Sequence, residues 1–200
     1  RNNMKAHSFI YLIIYSCFIM SVSLQAQEHF ADRYNVSYIT MDDGLPHNFI
    51  DDIYKDTRGF LWISTAGGGL SRYDGYEFIH FNPNTPHSKL KSNFIHNVYE
   101  DRFHRLWIVS EGGTDIIDLS TLQSVIPNDP KGLLPRFINH PTYIVILDSQ
   151  GCIWLQCDNA LHRITFDAEG GIDTLSTLDL PEQDEPDLIL KDIDEDGKIW

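Results

Sequence analysis

The sequence predicts an all-β fold assembled from a repeat, and three observations carry that prediction. The four tryptophans, Trp62, Trp107, Trp154 and Trp200, are spaced by 45, 47 and 46 residues. Each follows an aspartate by six positions, the aspartates being Asp56, Asp101, Asp148 and Asp194. Glycine stands three positions before the tryptophan at Gly59, Gly151 and Gly197, with His104 as the exception, and Leu or Ile stands directly before it. Self-similarity at one fixed period of this length is the signature of a repeat architecture.

Each part of the repeat has a physical reading. The segment before the aspartate is apolar and rich in β-formers at residues 49–54, 94–99 and 143–147; the fourth copy is weaker, with Lys191 where the others carry Ile53, Val98 and Val145. Asp-x-x-Gly then makes a tight turn, because the carboxylate can accept from backbone amides two residues on and glycine tolerates the positive φ required. The Leu61-Trp62-Ile63 run and its copies are apolar at three consecutive positions, which places that strand between two buried faces. Third strands are expected at residues 69–74, 113–118 and 160–165. Fourth strands are expected at residues 77–81 and, more weakly, at 122–126 and 174–180.

Four short strands in each repeat of this length make one blade of a β-propeller, flanked on both faces by its neighbours. The first blade is expected to have strands at 49–55, 60–65, 69–74 and 77–81. The repeats are placed at about 35–81, 82–126 and 127–180, with a truncated one from 181. A closed ring takes about four to eight blades. The expectation is therefore an incomplete ring, a β-propeller fragment of about three and a half four-stranded blades.

Residues 1–26 read as a secretory signal with upstream residues, leaving 27–200 as the exported part. Met4-Lys5-Ala6-His7 is a short positive segment, residues 9–24 are apolar, and Ala26 suits a cleavage site. A retained anchor competes with this reading, against a stretch shorter than the ~20 residues of a usual span. A lipoprotein box at residues 14–17 competes too, against the bulky Tyr15. Cys152 and Cys157 then remain. On one extended strand they would lie roughly 16 Å apart on opposite faces, beyond disulfide reach, and are read as small buried residues. The formal charge of −14 argues against nucleic acid and anionic lipid as partners and suits a solvated surface.

No catalytic constellation and no cofactor motif is present, and the histidines are scattered without a paired spacing. Asp192-x-Asp194-x-Asp196-Gly197 matches the first half of a calcium loop, yet Asp194, Gly197 and Trp200 fall in register with the three Asp turns, and the turn reading, which explains both the spacing and the tryptophan, is preferred to a calcium site. The likeliest functional face follows from blade geometry. Loops entering the first strand and loops joining the second and third emerge on one side, opposite the Asp turns. That face carries His47, Asn48, Lys91, Asn93, Glu111, His140 and Asp158, polar groups suited to sugar hydroxyls. Turn capping is the competing role for Asn48 and Asn93.

Residues 43–81 (DGLPHNFIDDIYKDTRGFLWISTAGGGLSRYDGYEFIHF) and 92–122 (SNFIHNVYEDRFHRLWIVSEGGTDIIDLSTL) resemble the two-component regulator propeller repeat. The resemblance extends over about residues 35–200. His104 for the turn glycine, Ser64-Thr65 and Val109-Ser110 after the tryptophan strand, and an eroded third strand in the third repeat depart from it. The resemblance implies the exported, periplasmic sensor of a hybrid two-component receptor. It also implies an oligosaccharide ligand, dimerising propellers, and a membrane span and histidine kinase beyond residue 200. A secreted carbohydrate-active enzyme and a structural or adhesive propeller are the alternatives.

Overall fold

A computed structural model of the chain describes residues 37–86, 89–157, 159–180 and 198. The segment read as a signal, the fourth repeat with Asp194 and Trp200, the calcium-like loop and Asp158 lie outside the described residues. The chain divides at Ile39/Thr40 into two units, and every element below belongs to the second.

Three antiparallel sheets follow one another in the order of the repeats. The first is β1 (Ile50–Lys55), β2 (Leu61–Thr65), β3 (Gly69–Tyr73) and β4 (Phe78–Phe81), paired in sequence order. The second is β5 (Ile95–Glu100), β6 (Arg105–Ser110) and β7 (Gly113–Asp118). The third is β8 (Thr142–Leu147), β9 (Ile153–Cys157), β10 (Ala160–Phe166) and β11 (Ile172–Asp179). Strand ends in the first sheet agree with the expected ends to within one residue, because turn residues fix them. The first strand of every sheet carries a bulge at the same repeat position: Asp51, His96 and Tyr143 are the residues left out of the ladder with the second strand.

Two expectations change. The fourth strand expected at 122–126 is reduced to one bridge, Ile117 to Ser124. Asp118 explains this, because its carboxylate accepts from the Ser120 and Thr121 amides at 2.9 and 2.8 Å and closes a tight turn. Leu122 then adopts a left-handed φ of 57°, and Pro127 cannot donate to a longer ladder. Conversely, the third strand of the third repeat, eroded in pattern, is fully formed as β10 and paired along both edges. Ladder bonds to two neighbours hold it where its own side chains give little signal. A single helical turn, α1 (Pro135–Ile138), leads into β8 and was not anticipated by the repeat.

The core lies between blades. Trp62, Leu70 and Phe81 of the first blade pack with Leu90, Ile95, Val98, Leu106 and Ile108 of the second. Trp107, Val109 and Ile116 of the second pack with Val145, Ile153, Leu155 and Ile164 of the third, and Phe137 of α1 joins them. Trp62 and Trp107 are both 0% exposed, as the repeat predicts. Trp154, whose neighbouring fourth repeat lies outside the described residues, is half-buried against Ile144, Ile146, Leu161 and Leu180. Cys152 and Cys157 are buried and form no disulfide, with Cys152 in the turn before β9 rather than on it. Burial raises the Cys152 thiol pKa.

Candidate functional site

The Asp turns form one end of the blades and are built around a single recurring carboxylate. Asp56 Oδ1 accepts from the amides of Arg58 and Phe60 at 3.0 and 2.9 Å, while Oδ2 accepts from Trp62 Nε1 at 2.9 Å. Asp101 repeats this with the amides of Phe103 and Arg105 at 2.9 and 3.1 Å and with Trp107 Nε1 at 2.9 Å. Asp148 repeats it with Gln150, Cys152 and Trp154 at 3.0, 2.9 and 2.9 Å. The six-residue spacing therefore matches an aspartate to an indole N–H as well as to a turn. Burial works to raise the pKa of Asp148, but the Trp154, Cys152, Arg163 and Gln150 donors outweigh it and hold the carboxyl low. Both oxygens of each carboxylate are engaged in holding the turn and the indole, so this end is a scaffold.

His104 takes the glycine place with a left-handed φ of 58°, beside Gly59 at 93° and Gly151 at 76°. Its Nδ1 lies 2.8 Å from Glu100 Oε1. Glu100 also accepts from the Thr57 amide and hydroxyl, both at 2.7 Å, which ties the first blade to the second. Arg102 and Arg105 reach the Phe166 and Gly170 carbonyls at 3.1 and 2.6 Å and tie the second to the third.

The inner strands are joined directly. Asp52 Oδ2 accepts from the Val98 amide at 3.3 Å. One repeat on, Asn97 Oδ1 accepts from the Val145 amide at 2.8 Å, while its Nδ2 donates to the Val145 carbonyl at 3.2 Å. An amide satisfies both groups of the facing peptide, whereas the carboxylate satisfies one. Burial accordingly raises the Asp52 pKa against the pull of the Val98 and Ile53 amides.

The opposite end gathers the entry loops and the turns between second and third strands. The Ala66 amide bonds to the Phe49 carbonyl at 3.1 Å, and the Glu111 amide to the Phe94 carbonyl at 3.3 Å. The Gly69 amide bonds to the Asn93 carbonyl at 3.0 Å, carrying the contact from blade one to blade two. Gly113, at φ 113°, meets the next entry segment so closely that an added Cβ would lie 2.2 Å from the Ile138 carbonyl oxygen. The topological grouping of entry loops with these turns is therefore present as hydrogen-bonded contact.

The residues selected from sequence are on this end but differ in availability. His47 is exposed and its Nδ1 accepts from the Phe49 amide at 3.0 Å. Asn48 caps a turn, its Oδ1 accepting from the Met41 amide at 3.1 Å. Lys91 is committed to Asp115 and the Thr114 carbonyl, at 3.1 and 2.6 Å. Asn93 Oδ1 is buried with no hydrogen-bond partner. Glu111 and His140 are exposed.

Sequence reasoning missed the aromatic groups on this end. Phe94 is 52% exposed and lies against Gly67 of the neighbouring blade, 3.6 Å from where a Cβ would stand. Tyr143 is 47% exposed, with its ring centroid 5.5 Å from that of His96. The signal for Tyr143 was available: residues 51, 96 and 143 each stand five before a turn aspartate and differ in every copy.

The family described as two component regulator propeller matches residues 44–67 and 89–112. None of the curated proteins matches the sequence. Among solved structures, the chain is similar to the extracellular domain assigned to hybrid two component system BT3049 from B. thetaiotaomicron. That match has a TM-score of 0.56 at 21% identity and covers 72% of this chain and 20% of that one. It is similar also to the extracellular domain of BT4673 from the same organism, with a TM-score of 0.54 at 27% identity, covering 78% of this chain and 22% of that one. The chain thus spans about a fifth of the length of these relatives. Each matched segment runs from an entry loop through an Asp turn and its tryptophan strand, so these two segments, one in each of the first two blades, are two-component regulator propeller repeats.

Proposed function

We propose that these blades are the ligand-sensing part of an exported two-component receptor, with an oligosaccharide bound on the face made by the entry loops. The carrying observation is the division between the two ends. Both oxygens of each Asp hub are engaged in holding the scaffold. The entry end instead leaves His47, Glu111 and His140 exposed beside partly exposed aromatic rings. Variable polar loops on a repeated scaffold are where binding specificity can reside without disturbing the packing. The matched family and the extracellular relatives support the receptor setting. Export, residence in the periplasm, pairing of two copies and signalling to a kinase follow in that setting as parts of the same proposal.

The test uses the intact protein in membrane vesicles supplied with labelled ATP. Phosphate incorporation that rises on adding a glycan mixture to the face bearing the propeller supports the receptor. A protein that instead cleaves the glycans, with no phosphorylation response, is the secreted enzyme of the alternative reading.

A further inference from the structure

We infer that the row of bulge residues on the three inner strands, Asp51, His96 and Tyr143, forms the floor of a binding subsite for a neutral pyranose ring. The inference rests on the reading above and names the sugar chemistry and the residues that meet it. A bulge leaves one residue out of the ladder and re-aims its side chain, and bulges are over-represented next to functional sites. Here the bulge recurs in all three blades at one repeat position, at the end of the inner strand next to the entry loop. The scaffold keeps the bulge and changes the residue on it, from carboxylate to imidazole to phenol. Conserved backbone with changing chemistry is what a recognition row on a repeat requires.

The three inner strands lie side by side, bonded through Asp52 to Val98 and through Asn97 to Val145. On them, Asp51 is exposed, and the His96 and Tyr143 rings meet at 5.5 Å with planes 36° apart. A half-exposed phenol ring offers a face to the C–H surface of a sugar, and a carboxylate accepts from hydroxyls without needing a fixed partner geometry. Phe94, more than half exposed, stands two residues before His96 on the same segment.

Unpaired polar atoms point to the same place. Among the described residues, seven buried side-chain atoms lack a hydrogen-bond partner. Four of them, Ser64 Oγ, Thr65 Oγ1, Asn93 Oδ1 and His96 Nε2, belong to the entry-loop end of blades one and two. Each such atom is a cost of about 1–3 kcal/mol, and each calls for a physical explanation. Asn93 and His96 both belong to the segment that enters the second blade, and the His96 ring is the one that meets Tyr143. Lys91, the cation selected on this face, is neutralised by Asp115 at 3.1 Å. That removes the counter-charge an acidic sugar would use there.

The experiment is calorimetric titration of the intact protein with a panel of neutral hexasaccharides (gluco-, manno-, xylo- and galacto-configured) and acidic ones (oligogalacturonate and a heparin hexamer). The wild type is expected to bind a neutral member. Tyr143→Ala and His96→Ala should weaken that binding by at least about tenfold, the scale of an interfacial hot spot. Tyr143→Phe, which keeps the ring, should stay within about threefold of wild type on the same scale. Tyr76→Ala, at a 91% exposed aromatic on the β3–β4 hairpin, should bind as wild type. Circular dichroism of each variant separates lost binding from lost folding, and Tyr143→Leu with His96→Gln, each expected to weaken binding by at least about tenfold, carries the test if an alanine variant fails to fold. Neutral-glycan binding that survives at Tyr143 and His96 overturns the subsite and leaves the receptor reading standing. Binding of acidic members alone overturns the neutral-sugar assignment. No binding to any member overturns the oligosaccharide reading together with the subsite.

Discussion

Asp56 and Trp62 are joined by a 2.9 Å hydrogen bond from the indole Nε1 to Oδ2, while Oδ1 of the same carboxylate holds the amides of Arg58 and Phe60. One side chain thus closes the turn and fixes the rotamer of the residue that fills the interface between blades. The same bond at Asp101 and Asp148 makes it the invariant of the fold.

Removing the carboxylate should cost more than a surface turn would. Asp101 is buried, accepts from Trp107 and two amides, and pairs with Arg105 Nε at 2.7 Å. Asp101→Ala leaves those donors without their acceptor and a buried guanidinium without its counter-charge, so a loss of about 3–5 kcal/mol is expected. Urea midpoints of the intact protein read it, and a loss below about 1 kcal/mol would show that the hub is incidental.

Tryptophan truncation should divide by position. Trp107→Ala empties a site that is 0% exposed and should lose about 3–5 kcal/mol. Trp154→Ala should lose distinctly less in the same urea series if the half-burial of Trp154 holds in the intact protein. Equal losses would mean that a further blade covers Trp154.

Asp52→Asn should stabilise the protein, because it copies Asn97 and can satisfy both groups of the Val98 peptide. One added net hydrogen bond is worth about 0.5–1.5 kcal/mol. The pH dependence follows from the raised Asp52 pKa. A group protonated more readily in the folded state contributes stability that is full below its unfolded pKa and is lost as pH rises through the folded value. The advantage of Asn should therefore be small near pH 3 and full near pH 7. An advantage that does not change with pH would refute the assignment.

Acid should act oppositely through Asp148, whose folded pKa is depressed. Its contribution is present above the unfolded carboxylate value near 3.8 and disappears as pH falls through the lower folded value. Asp148→Asn should flatten that acid limb in pH-dependent thermal melts, while lowering the melting temperature at neutral pH through loss of an acceptor.

The strands were legible because their signals are local: apolar runs, Asp-x-x-Gly turns and a tryptophan at a fixed interval. The sorting of loops to one end was legible too, since blade topology dictates it. Three features left less trace. The Asp–Trp bond hides behind the turn that already explains the aspartate. The bulge at Asp51, His96 and Tyr143 is a matter of register between strands, which composition does not record. The pairing of Lys91 with Asp115 joins an entry loop to a third strand, so an apparent binding cation is spent on the scaffold. Asn48 shows the same thing at smaller scale, capping Met41 where a ligand contact was expected.

Hydrogen–deuterium exchange of the intact protein, with and without a bound glycan, tests the division between a binding end and a scaffold end most directly. The account predicts slowed exchange on glycan addition in residues 44–51, 89–97 and 139–145, with the Asp turns at 56–60, 101–105 and 148–152 unchanged. Protection confined to the Asp turns, or no protection in these blades while the glycan is bound, would contradict it.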